Sequence, residues 1–221
     1  MTHPVTKRLF DFTVSGIGLV VVSPVLVAIA VVVKASDCGP AFYRQQRVGR
    51  GGKPFRIWKF RTMVLNADKL GISVTKDGDP RITRIGRLLR KTKLDELPQL
   101  LNVFLGEMSF VGPRPEVQRY VDRYTPEQRR ILELKPGITD LATLEFRNEE
   151  DLLATAADTE KFYIEHCVPR KIELNLQYAR QATLCRDIWI ILQTVIPPLR
   201  PAPKVQHPVS GTPNQESRPI Q

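Results

Sequence analysis

Asp95 and Glu96 stand side by side in Lys91-Thr-Lys-Leu-Asp-Glu-Leu-Pro-Gln-Leu-Leu-Asn-Val-Phe104, directly after a basic stretch. Pro98 is tolerated only in the first turn of a helix, so a helix is expected to begin close to Asp95. The positive end of its dipole would then hold both acids ionised, with lowered pKa values. Adjacent helical residues point about 100° apart, so one acid can attack an electrophile while the other holds a metal. The plain alternative is capping, since first-turn acids are ordinary helix-start residues. Downstream, Val111-Gly-Pro-Arg-Pro115 fixes Arg114 between two prolines in a stiff, extended backbone. A guanidinium presented that way suits a phosphate clamp, and a rigid connector is its plain reading.

Several elements must position these residues. Arg81 to Lys93 carries six basic residues and no acid, with Ile82, Ile85, Leu88 and Leu89 at helical spacing. Such a helix lies at a lipid interface or presents a solvated basic face. Residues 41–48 and 55–60 read as a β-hairpin around Gly49-Arg-Gly-Gly-Lys-Pro54. That loop is no P-loop: Pro54 replaces the required Ser or Thr, and a strand follows instead of a helix. A polar loop is expected over 66–80, and helices over 125–134, 148–157 and 170–195, with turn chemistry at Lys135-Pro-Gly137. Trp189, in the apolar second half of the last helix, fits a protein core or an interfacial anchor.

Phe12 to Val33 is a run of 22 uncharged, mostly apolar residues with Ser23-Pro24 at its midpoint. As one straight helix it would reach about 33 Å, just enough for the hydrocarbon core, whereas each arm of a helix broken at Pro24 reaches about half of that. Lys7 and Arg8 precede it. Lys34, Arg44, Arg47, Arg50, Lys53, Arg56, Lys59 and Arg61 follow, against the single acid Asp37. Basic flanks favour the cytoplasmic side, and a re-entrant hairpin satisfies both flanks where a span satisfies one. A kinked span, a buried core helix and a signal peptide stay open as alternatives, the last disfavoured by the length of the run.

The 221 residues make one domain of ordinary size plus the membrane element, and the net charge of +10 suits phosphate-bearing partners. Cys38, Cys167 and Cys185 are scattered and odd in number, which argues for free thiols in a reducing compartment. His3, His166 and His207 are too far apart to suggest a zinc site, so any metal would be a hard, oxygen-bound ion such as Mg²⁺. From Arg200 onward five prolines and few hydrophobic residues read as a disordered tail.

Lys59-Phe-Arg-Thr-Met63, Arg90-Lys91, Leu94 to Leu100, Asn102-Val103, Gly106 to Pro115 and Lys135-Pro-Gly-Ile-Thr139 together resemble the bacterial sugar transferases. More specifically they look like the small monotopic polyprenyl-phosphate phosphoglycosyl transferases, over roughly residues 5–199. The resemblance implies a mostly α fold with a small β-hairpin (α+β): a re-entrant membrane helix-break-helix over residues 1–36, broken at Ser23 and Pro24, then a cytosolic and interfacial catalytic domain over 37–199 with interfacial amphipathic helices, then the tail over 200–221. It also implies the small, minimal form of the family. The activity it implies is transfer of a sugar-1-phosphate from a UDP-sugar to polyprenyl (undecaprenyl) phosphate, releasing UMP, as the first membrane step of a surface glycan pathway.

By the same resemblance Asp95 is the nucleophile, forming a covalent phosphosugar, and Glu96 is its partner associated with Mg²⁺. Lys59, Arg61, Arg90 and Arg114 are candidates for gripping substrate phosphates, and Gly112, Pro113, Asp140 and Asp187 for the nucleotide or sugar pocket. Many relatives have Gly where this chain has Asp140, which bears on nucleotide or sugar recognition. The implied location is the cytoplasmic face of the bacterial inner membrane, among its lipids, with room for a homo-oligomer and no nucleic-acid partner. The competing reading is a membrane-tethered basic module that binds anionic lipid or nucleic acid without catalysis. It leaves the acidic pair unexplained, since acids weaken phosphate binding unless a metal or a reaction needs them. A soluble nucleotide hydrolase is disfavoured by the missing P-loop and by the apolar run.

Overall fold

The apolar run folds as a single helix. In a computed structural model, which describes residues 4–67, 78–147, 149–154 and 158–196, helix α1 (Pro4–Asp37) extends over 34 residues. It does not divide at Ser23–Pro24 as the helix-break-helix expectation had it. Pro24 has no N–H to give the Val20 carbonyl, and the Ser23 hydroxyl donates to that carbonyl instead, at 2.8 Å.

α1 is long and apolar enough to cross a membrane, yet both of its ends belong to one body. Near the start, the Lys7 ammonium donates to the Val111 carbonyl at 3.0 Å and the Tyr178 hydroxyl at 3.3 Å and pairs with buried Asp187. Arg8 donates to the Val103 and Phe104 carbonyls, each at 2.7 Å. Phe12 stacks on Phe104 with ring centroids 4.7 Å apart. Toward the other end, Leu26, Ile29, Ala30 and Val33 pack with Phe60, Leu89 and Leu94. Between the two contacts, from Val20 to Val25, the helix is largely exposed, with Val20 76% exposed and Val21 69%.

The hairpin forms as expected: β1 (Phe42–Val48) and β2 (Pro54–Phe60) are antiparallel, with Phe42 opposite Phe60 and Val48 opposite Pro54. α2 (Arg84–Thr92) follows, capped by the Thr83 hydroxyl, which accepts from the Gly86 amide at 2.9 Å. α3 (Gln99–Leu105) docks on the free edge of β2 through Asn102. That side chain accepts from the Trp58 amide and donates to the Arg56 carbonyl, both at 2.9 Å, as a third strand would.

Sequence patterning did not reveal β3 (Ser109–Val111) and β4 (Gly137–Thr139), which are too short to show alternation. They pair in parallel, Ser109 with Gly137 and Val111 with Thr139. At the exit of β3 the chains nearly touch: a Cβ on Gly112 would lie 2.2 Å from the Lys135 carbonyl oxygen.

α4 (Gln118–Val121) precedes a 3₁₀ segment, Gln128–Glu133, inside the helix expected over 125–134. α5 (Leu141–Glu145), α6 (Glu149–Ala154) and α7 (Thr159–Phe162) lead into a π-helical turn, Tyr163–Cys167. The single helix expected over 170–195 is two, α8 (Val168–Arg180) and α9 (Leu184–Val195). Thr183 is extended, and its hydroxyl accepts from the Arg186 amide at 3.2 Å, starting a new helix. Tyr120, Val121, Phe146, Leu153, Tyr163 and Ile172 form the main core. Trp189 is 51% exposed, so it does not serve the core. The proposed tail and most of the 66–80 loop lie outside the described residues.

Gly112→Ala is expected to cost about 2–3 kcal/mol through overpacking against backbone, read as a lower melting temperature. An unchanged melt would show that β3 and β4 separate freely.

Candidate active site

The acidic pair is delivered by a strained turn. α2 ends at Lys93, which sits in the left-handed region at φ 59°, a conformation that costs a residue with a side chain roughly 1 kcal/mol or more. The chain then makes a 3₁₀ turn, Leu94–Glu96, and Pro98 precedes the first residue of α3. The expected helix start at Asp95 is therefore a tight turn running into a helix.

Glu96 is the most heavily engaged group. Lys59, from β2, donates to its Oε1 at 2.8 Å. Arg114 closes on both of its oxygens with a guanidinium fork, the longer arm at 3.2 Å. Asp95 is 6% exposed, and its Oδ1 is buried with no hydrogen-bond partner among the described residues. The neighbours in the chain thus do different things, as their divergent directions on a tight turn allow.

Their electrostatics diverge too. Burial raises the Asp95 pKa above its ordinary value; the Lys59 charge opposes it, Glu96 adds to it, and Arg90 and Arg114 offset it only in part. This overturns the expected lowering. The loss of hydration outweighs any dipole of a seven-residue helix. Burial alone would raise Glu96 as well, but the Arg114 and Lys59 charges and hydrogen bonds hold it well below the usual carboxylate range. Lys59 is lowered by burial, which Glu96 partly opposes. Glu96 in turn pushes Arg114 up.

Lys59, Arg90 and Arg114 therefore converge on the dyad. Arg61 does not: its guanidinium grips both oxygens of Asp37 and donates to the Pro40 carbonyl at 2.7 Å, tying the end of α1 to the hairpin. Asp187 is likewise engaged elsewhere, in a structural contact. It is buried between Tyr178 and Lys7 and binds α9 to the start of α1. Gly112 and Pro113 form the backbone junction before Arg114, with the Gly137 amide donating to the Pro113 carbonyl at 3.0 Å. Asp140 is buried beneath Arg114 rather than lining a pocket.

Sequence reasoning missed Arg47. It donates to the Pro115 carbonyl at 3.1 Å and faces Glu116 at 3.8 Å, and the charges of Arg114 and Glu96 act on it. Its alternation with Gln45 along β1 was the only signal.

Among the described residues no three metal-ligating side chains gather. The donor set still fits Mg²⁺, which commonly takes one or two carboxylates and completes its shell with water and substrate phosphates. The feature that fits is Glu96 Oε2, which among the described residues accepts only the 3.2 Å arm of Arg114 and keeps a lone pair for a cation beside Asp95.

A family model described as bacterial sugar transferase matches residues 2–200. The chain belongs to that family. It is 40% identical over 198 residues to the UDP-glucose:undecaprenyl-phosphate glucose-1-phosphate transferase of Escherichia coli K12, covering 86% of this chain and 39% of that protein. It is 37% identical over 194 residues to the UDP-N-acetylgalactosamine-undecaprenyl-phosphate N-acetylgalactosaminephosphotransferase of Aeromonas hydrophila, covering 86% and 42%. An uncharacterized sugar transferase of Bacillus subtilis strain 168 is 39% identical over 191 residues, 86% of each chain. The chain thus spans about two fifths of the length of the first two of these relatives.

The opposite shifts of the dyad predict opposite melting behaviour. Ionised Asp95 costs stability above its raised pKa, and the cost is gone below its ordinary 3.8. Asp95→Asn should therefore raise the melting temperature by about 2–4 °C at pH 7, a gain that shrinks on acidification toward that value. Glu96 stabilises the fold above its ordinary 4.5 and loses that effect only as pH falls well below it. Glu96→Gln should cost about 2–3 kcal/mol at pH 7, discounted because Arg114 is partly exposed. A lower melt for Asp95→Asn would show that the surrounding cations outweigh burial.

Proposed function

We propose that this protein transfers a sugar-1-phosphate from a UDP-sugar to polyprenyl phosphate, with undecaprenyl phosphate the expected acceptor, through a covalent phosphosugar on Asp95. The observation that carries the reading is a buried aspartate oxygen with no hydrogen-bond partner among the described residues, paired with a neighbouring glutamate locked by two cations. A capping acid would spend its oxygens on backbone amides. The family and the activities for which the relatives are named support the same reading. Those relatives are named for glucose and N-acetylgalactosamine and another for galactose, so the donor is proposed as a class.

In the first half-reaction an Asp95 oxygen attacks the β-phosphorus of the donor. The bond from that phosphorus to the oxygen bridging the α-phosphate breaks, and UMP leaves with the bridging oxygen. In the second, an oxygen of the lipid phosphate attacks the same phosphorus, the bond to Asp95 breaks, and the carboxylate is restored. Lys59, Arg90 and Arg114 spread positive charge over the phosphoryl oxygens, which is most of what such a loose transition state asks of a protein. Glu96 fixes where two of those cations stand. With the donor diphosphate it would also hold Mg²⁺, which when bound neutralises the phosphates. Burial leaves the attacking carboxylate poorly solvated, which raises its affinity for a proton and keeps its ionised form reactive.

The geometry of α1 supports a membrane placement. Both ends rest on the same body, which supports a helix that enters and leaves by the cytoplasmic face instead of crossing. The exposed Trp189, Ile188 and Leu192 on α9 suit an interfacial position.

Purified protein given UDP-sugars, Mg²⁺ and undecaprenyl phosphate should release UMP. With acceptor withheld, intact mass spectrometry should find one phosphosugar added to the wild type and none to Asp95→Asn, whose turnover should fall at least about 10³-fold. Wild-type activity in that variant would remove Asp95 as nucleophile. Absence of UMP release from every donor, with binding to anionic vesicles retained, would favour the non-catalytic basic module.

In a background with Cys38 and Cys185 changed to serine, Thr6→Cys and Ser36→Cys should both react with an impermeant maleimide from the cytoplasmic side alone. Labelling of the two positions from opposite sides would establish a span.

A further inference from the structure

The backbone of Arg114 has one free lever, and a buried side chain holds it. Pro113 and Pro115 carry no N–H, so across Pro113-Arg114-Pro115 the Arg114 amide is the only main-chain donor. It donates to Asp140 Oδ2 at 3.2 Å. Asn175 Nδ2, from α8, donates to the same oxygen at 2.7 Å and to the Lys171 carbonyl at 2.9 Å. Asp140 Oδ1 accepts from the Thr143 amide at 2.6 Å and caps α5. Asp140 and Asn175 are each 1% exposed. The Asp140 backbone is extended, at φ −158° and ψ 178°, so nothing in the main chain demands a particular residue there.

The other side of Arg114 is held from the hairpin. Arg47 donates to the Pro115 carbonyl, the Val48 amide donates to the Glu116 carbonyl at 2.9 Å, and the Tyr163 hydroxyl donates to the Glu116 carboxylate. With the downstream flank fixed, the prolines stiff and the Pro113 carbonyl held by the Gly137 amide, the Asp140 carboxylate holds the N–H side of the same peptide unit.

We propose that Asp140, braced by Asn175, is a positioning residue for Arg114: it acts on the reaction by aiming the guanidinium that clamps Glu96 and meets the donor diphosphate. The inference rests on the proposed phosphoglycosyl transfer for its catalytic consequence, and on geometry alone for the positioning.

Asp140→Asn separates the two jobs of this carboxylate. Its remaining oxygen can still cap α5 by accepting from the Thr143 amide, but its NH₂ meets the donors of Arg114 and Asn175. In full-length protein in nanodiscs, hydrogen exchange at the Arg114 amide should accelerate at least about tenfold in this variant, with little change at Thr143. The kcat/KM for UDP-sugar should fall about tenfold. In an Arg114→Lys background the same substitution should cost less than about twofold, because the fork it aims is already gone. Asn175→Leu, which leaves the carboxylate in place, should show the same pattern at about threefold and serves if Asp140→Asn does not fold. Unchanged exchange at Arg114, or an equal loss of kcat/KM in both backgrounds, would reduce Asp140 to a helix cap. A wild type without UDP-sugar turnover would count against the proposed function, while exchange at Arg114 would still decide the positioning.

Discussion

The carboxylate of Glu96 is the meeting point of three stretches of chain that share no local order. Lys59 arrives from the second strand of the hairpin, Arg114 from the exit of β3, and Glu96 itself from the 3₁₀ turn after α2. Breaking such a buried pair leaves uncompensated charge, so the network is strongly directional even where its net contribution to stability is modest. Its effect is to hold two cations at fixed separation beside Asp95. Asp95 is then left with burial as its dominant influence and no partner for its inner oxygen. One acid is satisfied so that the other need not be.

Around that point the fold works as a set of braces. Asn102 extends the hairpin edge into α3, the Gly112 and Gly137 backbones press β3 against β4, and the left-handed Lys93 turns the chain sharply into the acids. Asp187 and Arg61, two charged residues that look available for ligands, fasten α1 to α9 and to the hairpin instead. Charge in this protein thus serves assembly as well as the site.

Much of this was legible from residue order. The hairpin, the basic helix and the position of the acidic pair follow from alternation, helical spacing and the placement of Pro98. The parallel strands were not legible, because three residues carry no period and their pairing depends on glycines 25 positions apart. The break between α8 and α9 hides in an apolar pattern that continues across Thr183. The sign of the Asp95 shift was misjudged for a similar reason: a helix dipole is local and can be read along the chain, whereas burial is supplied by distant segments. Arg61 was misassigned because its partner, Asp37, was counted as an isolated acid among basic flanks.

The contact between α1 and α3 places the apolar helix and the acidic pair in mechanical series. Leu100 and Phe104 of α3 lie against Gly18, Gly16 and Phe12 of α1, and the turn bearing the pair leads straight into α3. The surroundings of α1 are therefore one packing layer away from the scaffold of Asp95. A shift of α1 would be transmitted to that turn through this seam, without any change at the opposite surface.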